Sequence, residues 1–186
     1  AVRETVDMTG LIPDVLFDSG KSALRPDGER ILRATVNTLR GKENIRLNVI
    51  GHTDSQRLSK PTQYQYGTNY GLGQSRADTV AGYLQSHLGI LETNARPYTW
   101  GEDKPVASNQ TPEGMQKNRR AEINPVFEQT TIKTRWLDRT VRIPHGGVIW
   151  ATEDPLKLDP RLAVDATGPL TIGDDGQIQP VDFRLY

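Results

Sequence analysis

Ile45-Arg46-Leu47-Asn48-Val49-Ile50-Gly51-His52-Thr53-Asp54 is the stretch that decides the fold. Apolar and polar residues alternate from Ile45 to Val49, the period of a half-buried strand, and the run ends in a polar tip. On its C-terminal side, Ala77, Val80, Ala81, Leu84 and Leu88 fall at i, i+3, i+4, i+7 and i+11, one face of a helix that Gly89 can close. On its N-terminal side, Pro26 stands where a first helical residue belongs, with Asp27 and Glu29 in the first turn. Leu32, Val36 and Leu39, with Ile31 and Thr35 beside them, make the stripe of that helix, and Gly41 is its stop. A strand between two amphipathic helices sets the middle of the chain.

Working outward, Val2, Glu4, Val6 and Met8 share one face in a weak strand pattern that Gly10 breaks. Asp14-Val15-Leu16-Phe17 is a short apolar run ending at Asp18-Ser19-Gly20. Ser55 to Gly73 shows no sustained period and reads as a long polar loop, a kind of segment that is usually functional or mobile. Tyr98-Thr99-Trp100-Gly101 suggests a third strand. Asp103 to Lys117 is turn-rich, and Ala121 to Asn124 leads into a fourth strand. Pro125 lacks a backbone donor, so that strand is expected to be an edge or to end there. The expected fold is α+β: a βαβαββ-type two-layer sandwich, a mixed sheet with helices on one face, followed by a β-rich C-terminal appendage. From Gln129 onward only short β-like runs remain (Thr131–Trp136, Val141–Ile143, Val148–Trp150 and Val181–Leu185), punctuated by Pro, Gly and Asp. The expected division is therefore 10–128 for the main domain and 129–186 for the appendage. An option left open is that the latter takes in 1–9, as part of a neighbouring domain of a larger parent.

Among the 186 residues, 35% are apolar and 25% charged, and the formal net charge is zero. No global field gathers nucleic acid or an anionic membrane, so local charge has to carry recognition. Cysteine is absent, which excludes disulfides and thiolate zinc sites. No apolar run is long enough to span a membrane, and the first residues do not read as a signal peptide. His52 and Asp54 alternate on one strand, a spacing that two metal ligands can use, but His87 and His145 form no cluster with them, so neither metal nor cofactor is expected. A Gly-x-Ser-x-Gly elbow is lacking, against a serine hydrolase. Taken alone, Asp54 reads as a turn aspartate and Arg76 as a surface arginine on the polar side of its helix. Trp100, Trp136 and Trp150 read as core or interface fillers.

Four pieces occur in one order: Phe17-Asp18-Ser19 with Leu24 and a helix after it; Gly51-His52-Thr53-Asp54 at a strand end; Asn69-x-x-Leu72-x-x-x-Arg76-Ala77 opening a helix; and Thr111-x-x-Gly114-x-x-x-Asn118-Arg119-Arg120 before the last strand. Together they resemble the OmpA-like peptidoglycan-binding domain family. The resemblance implies a non-catalytic module, periplasmic or outer-membrane-associated, that anchors an envelope protein to peptidoglycan through the meso-diaminopimelate of its stem peptide. By motif, Asp54 would meet the ligand's ammonium and Arg76 its carboxylate. Phe17, Asp18, Ser19, Asn69, Leu72, Asn118 and Arg119 would line or brace the pocket. Chemistry agrees: a carbon bearing ammonium and carboxylate needs an acceptor and a donor fork close together. Two departures stand out. Gly73 replaces the family's usual serine, and the Asp54–Arg76 interval is long, with the excess in Ser55–Thr68. Tyr64, Tyr66 and Tyr70 are candidates to cap the ligand or pack on glycan. The alternative is a protein–protein scaffold of the envelope with a vestigial pocket.

Overall fold

The structure, a computed structural model, describes residues 1–131 and the strands β6 (Trp136–Arg142), β7 (Val148–Thr152), β8 (Thr171–Ile172) and β9 (Ile178–Gln179). The chain divides into two compact units, Arg3–Thr130 and Ala1–Val2 with Thr131–Tyr186. In the second unit β6 pairs with β7 and β8 with β9, both antiparallel. The expected β run at Val181–Leu185 lies outside the described residues, as do the side chains of Trp136 and Trp150.

In the first unit the alternating stretch becomes β3 (Glu43–His52). Ile45, Leu47 and Val49 point to one face and are buried, while Arg46 and Asn48 point to the other and are exposed. Its neighbours are β4 (Ala95–Gly101), parallel to it, and β5 (Arg120–Thr131), antiparallel. β1 (Val2–Asp7) adds to the far side of β5, giving the order β1-β5-β3-β4, and the two-residue β2 (Val15–Leu16) also pairs with β5. The first strand thus lies in the main sheet, with Arg3–Asp7 in the first unit and Val2 in the second. β5 also runs six residues past Pro125, whose carbonyl accepts the Met8 N–H at 2.8 Å. A residue's N–H and C=O face the same neighbour in an antiparallel ladder. The missing donor of Pro125 therefore faces the side where β1 has just ended, and the proline is tolerated in an interior strand.

Helix α1 (Pro26–Leu39) begins at Pro26 and buries Leu32, Thr35, Val36 and Leu39. The long α3 (Asn69–Leu88) is capped by the Thr68 side chain on the Gly71 N–H and closed by Gly89 in the left-handed conformation. Both helices contribute to one core with the inner face of the sheet: Leu32, Val36 and Leu39 meet Leu47, Val49, Ala77, Val80, Leu84 and Ile123. Each large aliphatic side chain buried there stabilises the fold by about 1.5–3 kcal/mol. α3 lies close on the sheet because its facing residues are small. A Cβ on Gly51 would overlap the carbonyl oxygen of Gly73, and a Cβ on Gly73 would overlap Thr99 Oγ1. Gly73, five residues into the helix, is therefore a point of helix–strand contact and has no capping duty.

Two short helices occupy segments that read as loops. α2 (Lys60–Tyr66) starts at Ser59, whose hydroxyl accepts the Thr62 N–H, with Pro61 in the first turn. α4 (Pro112–Asn118) starts at Thr111, whose hydroxyl accepts the Gly114 N–H at 3.0 Å. No helix among the described residues is long and apolar enough to cross a membrane.

Candidate functional site

β3 ends where the sheet edge opens between the Asp18–Gly20 turn, α3 and the 55–68 segment. The Thr53 N–H donates to the Gly101 carbonyl at 2.8 Å, which fixes the backbone just before Asp54. Here a cleft of about 380 Å³ is lined by Asp54, Arg76, Ser19 and Leu72, together with Gln56, Arg57, Ser59 and Thr62.

Arg76 is fully buried, which corrects its reading as a surface arginine. Leu72, Arg76 and Val80 are spaced by four, so they share one ridge of α3, turned inward. The guanidinium survives burial because backbone carbonyls receive it. Nε donates to Lys21 O (2.8 Å), Nη1 to His52 O (2.9 Å) and Nη2 to Asp18 O (3.0 Å). The Phe17 ring lies 5.3 Å below it. Burial draws its pKa down to about 10, against the opposing pull of the Asp54 carboxylate, so it remains a cation at neutral pH. Of its five N–H donors, two have no hydrogen-bond partner among the described residues.

Asp54 is 5% exposed. Its Oδ1 accepts the Gln56 N–H at 3.1 Å, and its Oδ2 accepts Arg119 Nη1 at 2.8 Å. A carboxylate has about four acceptor positions, so it keeps room for one or two more donors. Arg119 is aimed by its other contacts, Nε to Phe17 O at 3.1 Å and Nη2 to Gln116 Oε1 at 2.9 Å. It stands behind Asp54 as a brace.

The other sequence candidates separate by position. Ser19 and Leu72 line the cleft, and the Ser19 hydroxyl donates to Gln56 Oε1 at 3.3 Å. Phe17 lies beneath, fully buried. Asp18 serves through its carbonyl, while its carboxylate turns outward, 3.5 Å from Arg25 Nη1. Asn69 lines an adjoining cleft instead. Asn118 does not reach the cleft. Its Oδ1 accepts the N–H groups of Val106 and Ala107, and its Nδ2 donates to Ala107 O and Asn109 Oδ1, so it is saturated within the 106–118 turn. None of the three tyrosines lines the cleft: Tyr66 bonds Ser22 and Tyr70 bonds Asp103, while Tyr64 is 95% exposed. Gln56, Arg57, Leu58, Ser59 and Thr62 were not singled out from sequence. The one signal for them was Ser59-Lys60-Pro61, a helix start inside the supposed loop.

On the sheet face away from the helices, His52 is buried with Nε2 3.5 Å from Glu122 Oε1. Arg120, also buried, donates to the same oxygen at 2.8 Å. The His52 contact, with Arg120 behind it, holds the Glu122 carboxyl at about 2 despite the opposing effect of burial. His52 is thus tied to a structural ion cluster, and no group of metal-binding side chains occurs among the described residues.

Residues 16–119 match the model of the OmpA family. The chain belongs to the OmpA family. Its relatives include the probable lipoprotein YiaD of Escherichia coli, 36% identical over 110 residues, covering 59% of this chain and 47% of that protein. The peptidoglycan-binding protein ArfA of Mycobacterium tuberculosis is 32% identical over 109 residues, covering 59% of this chain and 31% of that protein. The chain thus spans half or less of these two relatives. Among solved structures, the cell wall anchor of the T6SS from Pseudomonas aeruginosa is 30% identical and covers 68% of this chain and 82% of that one, with a TM-score of 0.50. The C-terminal domain of Helicobacter pylori MotB is 26% identical, covers 65% and 88%, and has a TM-score of 0.51. The residues of this OmpA-family chain that match the family model, 16–119, fall within the first unit.

Proposed function

We propose that this OmpA-family domain is a non-catalytic anchor that binds peptidoglycan in the bacterial envelope by gripping the free end of meso-diaminopimelate. The observation that carries the reading is the pairing, in one cleft, of a nearly buried carboxylate, Asp54, with a fully buried guanidinium, Arg76, each with bonding capacity to spare. Asp54 takes the ligand's ammonium and the two spare N–H groups of Arg76 take its carboxylate. The printed names of ArfA, a peptidoglycan-binding protein, and of the T6SS cell wall anchor support the same direction. They also favour an envelope location outside the inner membrane. A charge-assisted hydrogen bond contributes roughly 1.5–3 kcal/mol, so one ligand head binds weakly, and the polymer compensates through high effective concentration.

The test needs no variant. Lysine-type peptidoglycan lacks the carboxylate at the end of the diamino acid, so Arg76 has no anion to hold. The full chain should bind diaminopimelate-type sacculi at least tenfold more tightly than lysine-type sacculi, a difference of about 1.4 kcal/mol. Equal binding to both would place recognition elsewhere, and absence of binding to either would leave the protein–protein scaffold as the better reading.

A further inference from the structure

The inserted stretch that walls the cleft also builds a second one. Arg57 and Leu58 line both the first cleft and an adjoining cleft of about 330 Å³, whose walls include Asn69 and Glu102. Arg76 and Arg119 are each held by several partners, yet Arg57 makes no hydrogen bond or ion pair among the described residues. Arg57 and Glu102 line the same cleft without pairing. Asn69 donates from Nδ2 to Gln56 O at 3.3 Å, which fixes its amide, and its Oδ1 is buried with no partner. A buried acceptor without a donor is uncommon in a folded protein, and a ligand N–H would satisfy it.

The segment is not a loose tether. Gln56 is tied to Ser19 and Asn69, the Tyr66 hydroxyl meets Ser22 Oγ at 3.0 Å, and Ser22 Oγ receives the Ser75 hydroxyl at 2.8 Å. Arg57 is therefore presented from a chain fixed on both sides, which lowers the ordering cost of using it.

We propose that the second cleft is a subsite for the stem-peptide residue next to the diamino acid, with Arg57 gripping its free carboxylate and Asn69 Oδ1 accepting its N–H. The proposal rests on the reading that the first cleft holds the diaminopimelate head. In a stem peptide the glutamate before the diamino acid is joined through its side chain. Its α-carboxylate is thus a free branch on the same carbon that carries the amide N–H to the preceding alanine. An anion and a donor on one carbon match a free guanidinium and an orphan acceptor in one cleft, and the planar fork of arginine suits a carboxylate.

Calorimetry on the full chain at low ionic strength would compare L-Ala–γ-D-Glu–meso-diaminopimelate with the same tripeptide amidated at the glutamate α-carboxylate. Arg57 is solvent-exposed, so the contact is worth about fivefold in affinity for the acid form, more as salt is lowered. Arg57→Gln should bind both peptides alike, at the level of the wild type on the amide. A wild type that binds the two within twofold of one another, or an Arg57→Gln chain that keeps the preference, overturns the subsite and leaves the diaminopimelate reading standing. A wild type that binds neither peptide overturns both.

Discussion

Arg76 brings a full charge into the core, and three backbone carbonyls from two separate segments converge on it. It therefore joins the 18–21 turn to the end of β3 with two N–H groups to spare. Lysine keeps the charge but has neither the planar fork nor the reach to three divergent carbonyls. Arg76→Lys should lower unfolding free energy by about 2–4 kcal/mol, because buried carbonyls lose their donors. It should also lower affinity for diaminopimelate-type sacculi by more than tenfold. Urea denaturation followed by a sacculus sedimentation assay checks both, and wild-type values in either would show that the fork is dispensable. At this scale the sequence was only partly legible. The family resemblance implied Arg76 and Asp54 as a pair, and the structure brings them into one cleft. It did not reveal that Asn118 spends every bond on its own turn or that Asp18 contributes a carbonyl. Side-chain motifs name residue types, whereas those two outcomes depend on which backbone groups happen to need partners.

At the scale of elements, the two long helices and β3 were readable because each repeats its period several times. α2 and α4 have seven residues apiece, two turns at most, too few to display an apolar stripe. Their traces were the caps, Ser59 with Pro61 and Thr111 with Pro112, which are local and carry no period. The length of β5 was obscured by Pro125, whose tolerance depends on where β1 stops, a long-range fact. Gly73 was misleading for a similar reason: its importance lies in what crosses over it. Helix α3 and strands β3 and β4 touch through Gly51, Gly73 and Thr99, and the two glycines differ in what a methyl group would strike. At Gly51 it meets helix backbone, which cannot move without displacing α3. At Gly73 it meets the Thr99 side chain. Gly51→Ala should therefore cost about 3 kcal/mol or more, the upper end for overpacking. Gly73→Ala should cost about 1 kcal/mol net, since alanine regains about 1 kcal/mol of helix propensity. Adding Thr99→Ala should relieve the second change and not the first, a coupling that a double-mutant cycle by thermal melt would measure. Equal penalties at the two glycines would mean that α3 does not sit on β3 as described.

For the whole molecule, the question is how much of the chain the OmpA-family domain needs. Residues 16–119 carry the family match, yet β1 lies well before them and is hydrogen-bonded to β5 in the sheet. Val6, Met8 and Ile12 pack against the core, so the first residues supply both a sheet edge and apolar cover. A fragment of residues 10–128, which the motifs alone would recommend, removes that strand and two of those three side chains. It exposes the edge of β5, a template for unwanted pairing. A fragment of residues 3–130 keeps the first compact unit whole. It should melt cooperatively and bind sacculi within about twofold of the full chain, because the residues lining both clefts lie between Ser19 and Glu102. The 10–128 fragment retains the same clefts but should be less stable by about 2–4 kcal/mol, from partly buried Val6 and Met8 at up to about 1.5–3 kcal/mol each. It should also aggregate more readily. Thermal melts and sedimentation binding on the two fragments and the full chain test this. If residues 3–130 fold but fail to bind, residues 131–186 contribute to recognition. If residues 10–128 match residues 3–130 in melting temperature and solubility, β1 is an ornament of the sheet rather than part of its support.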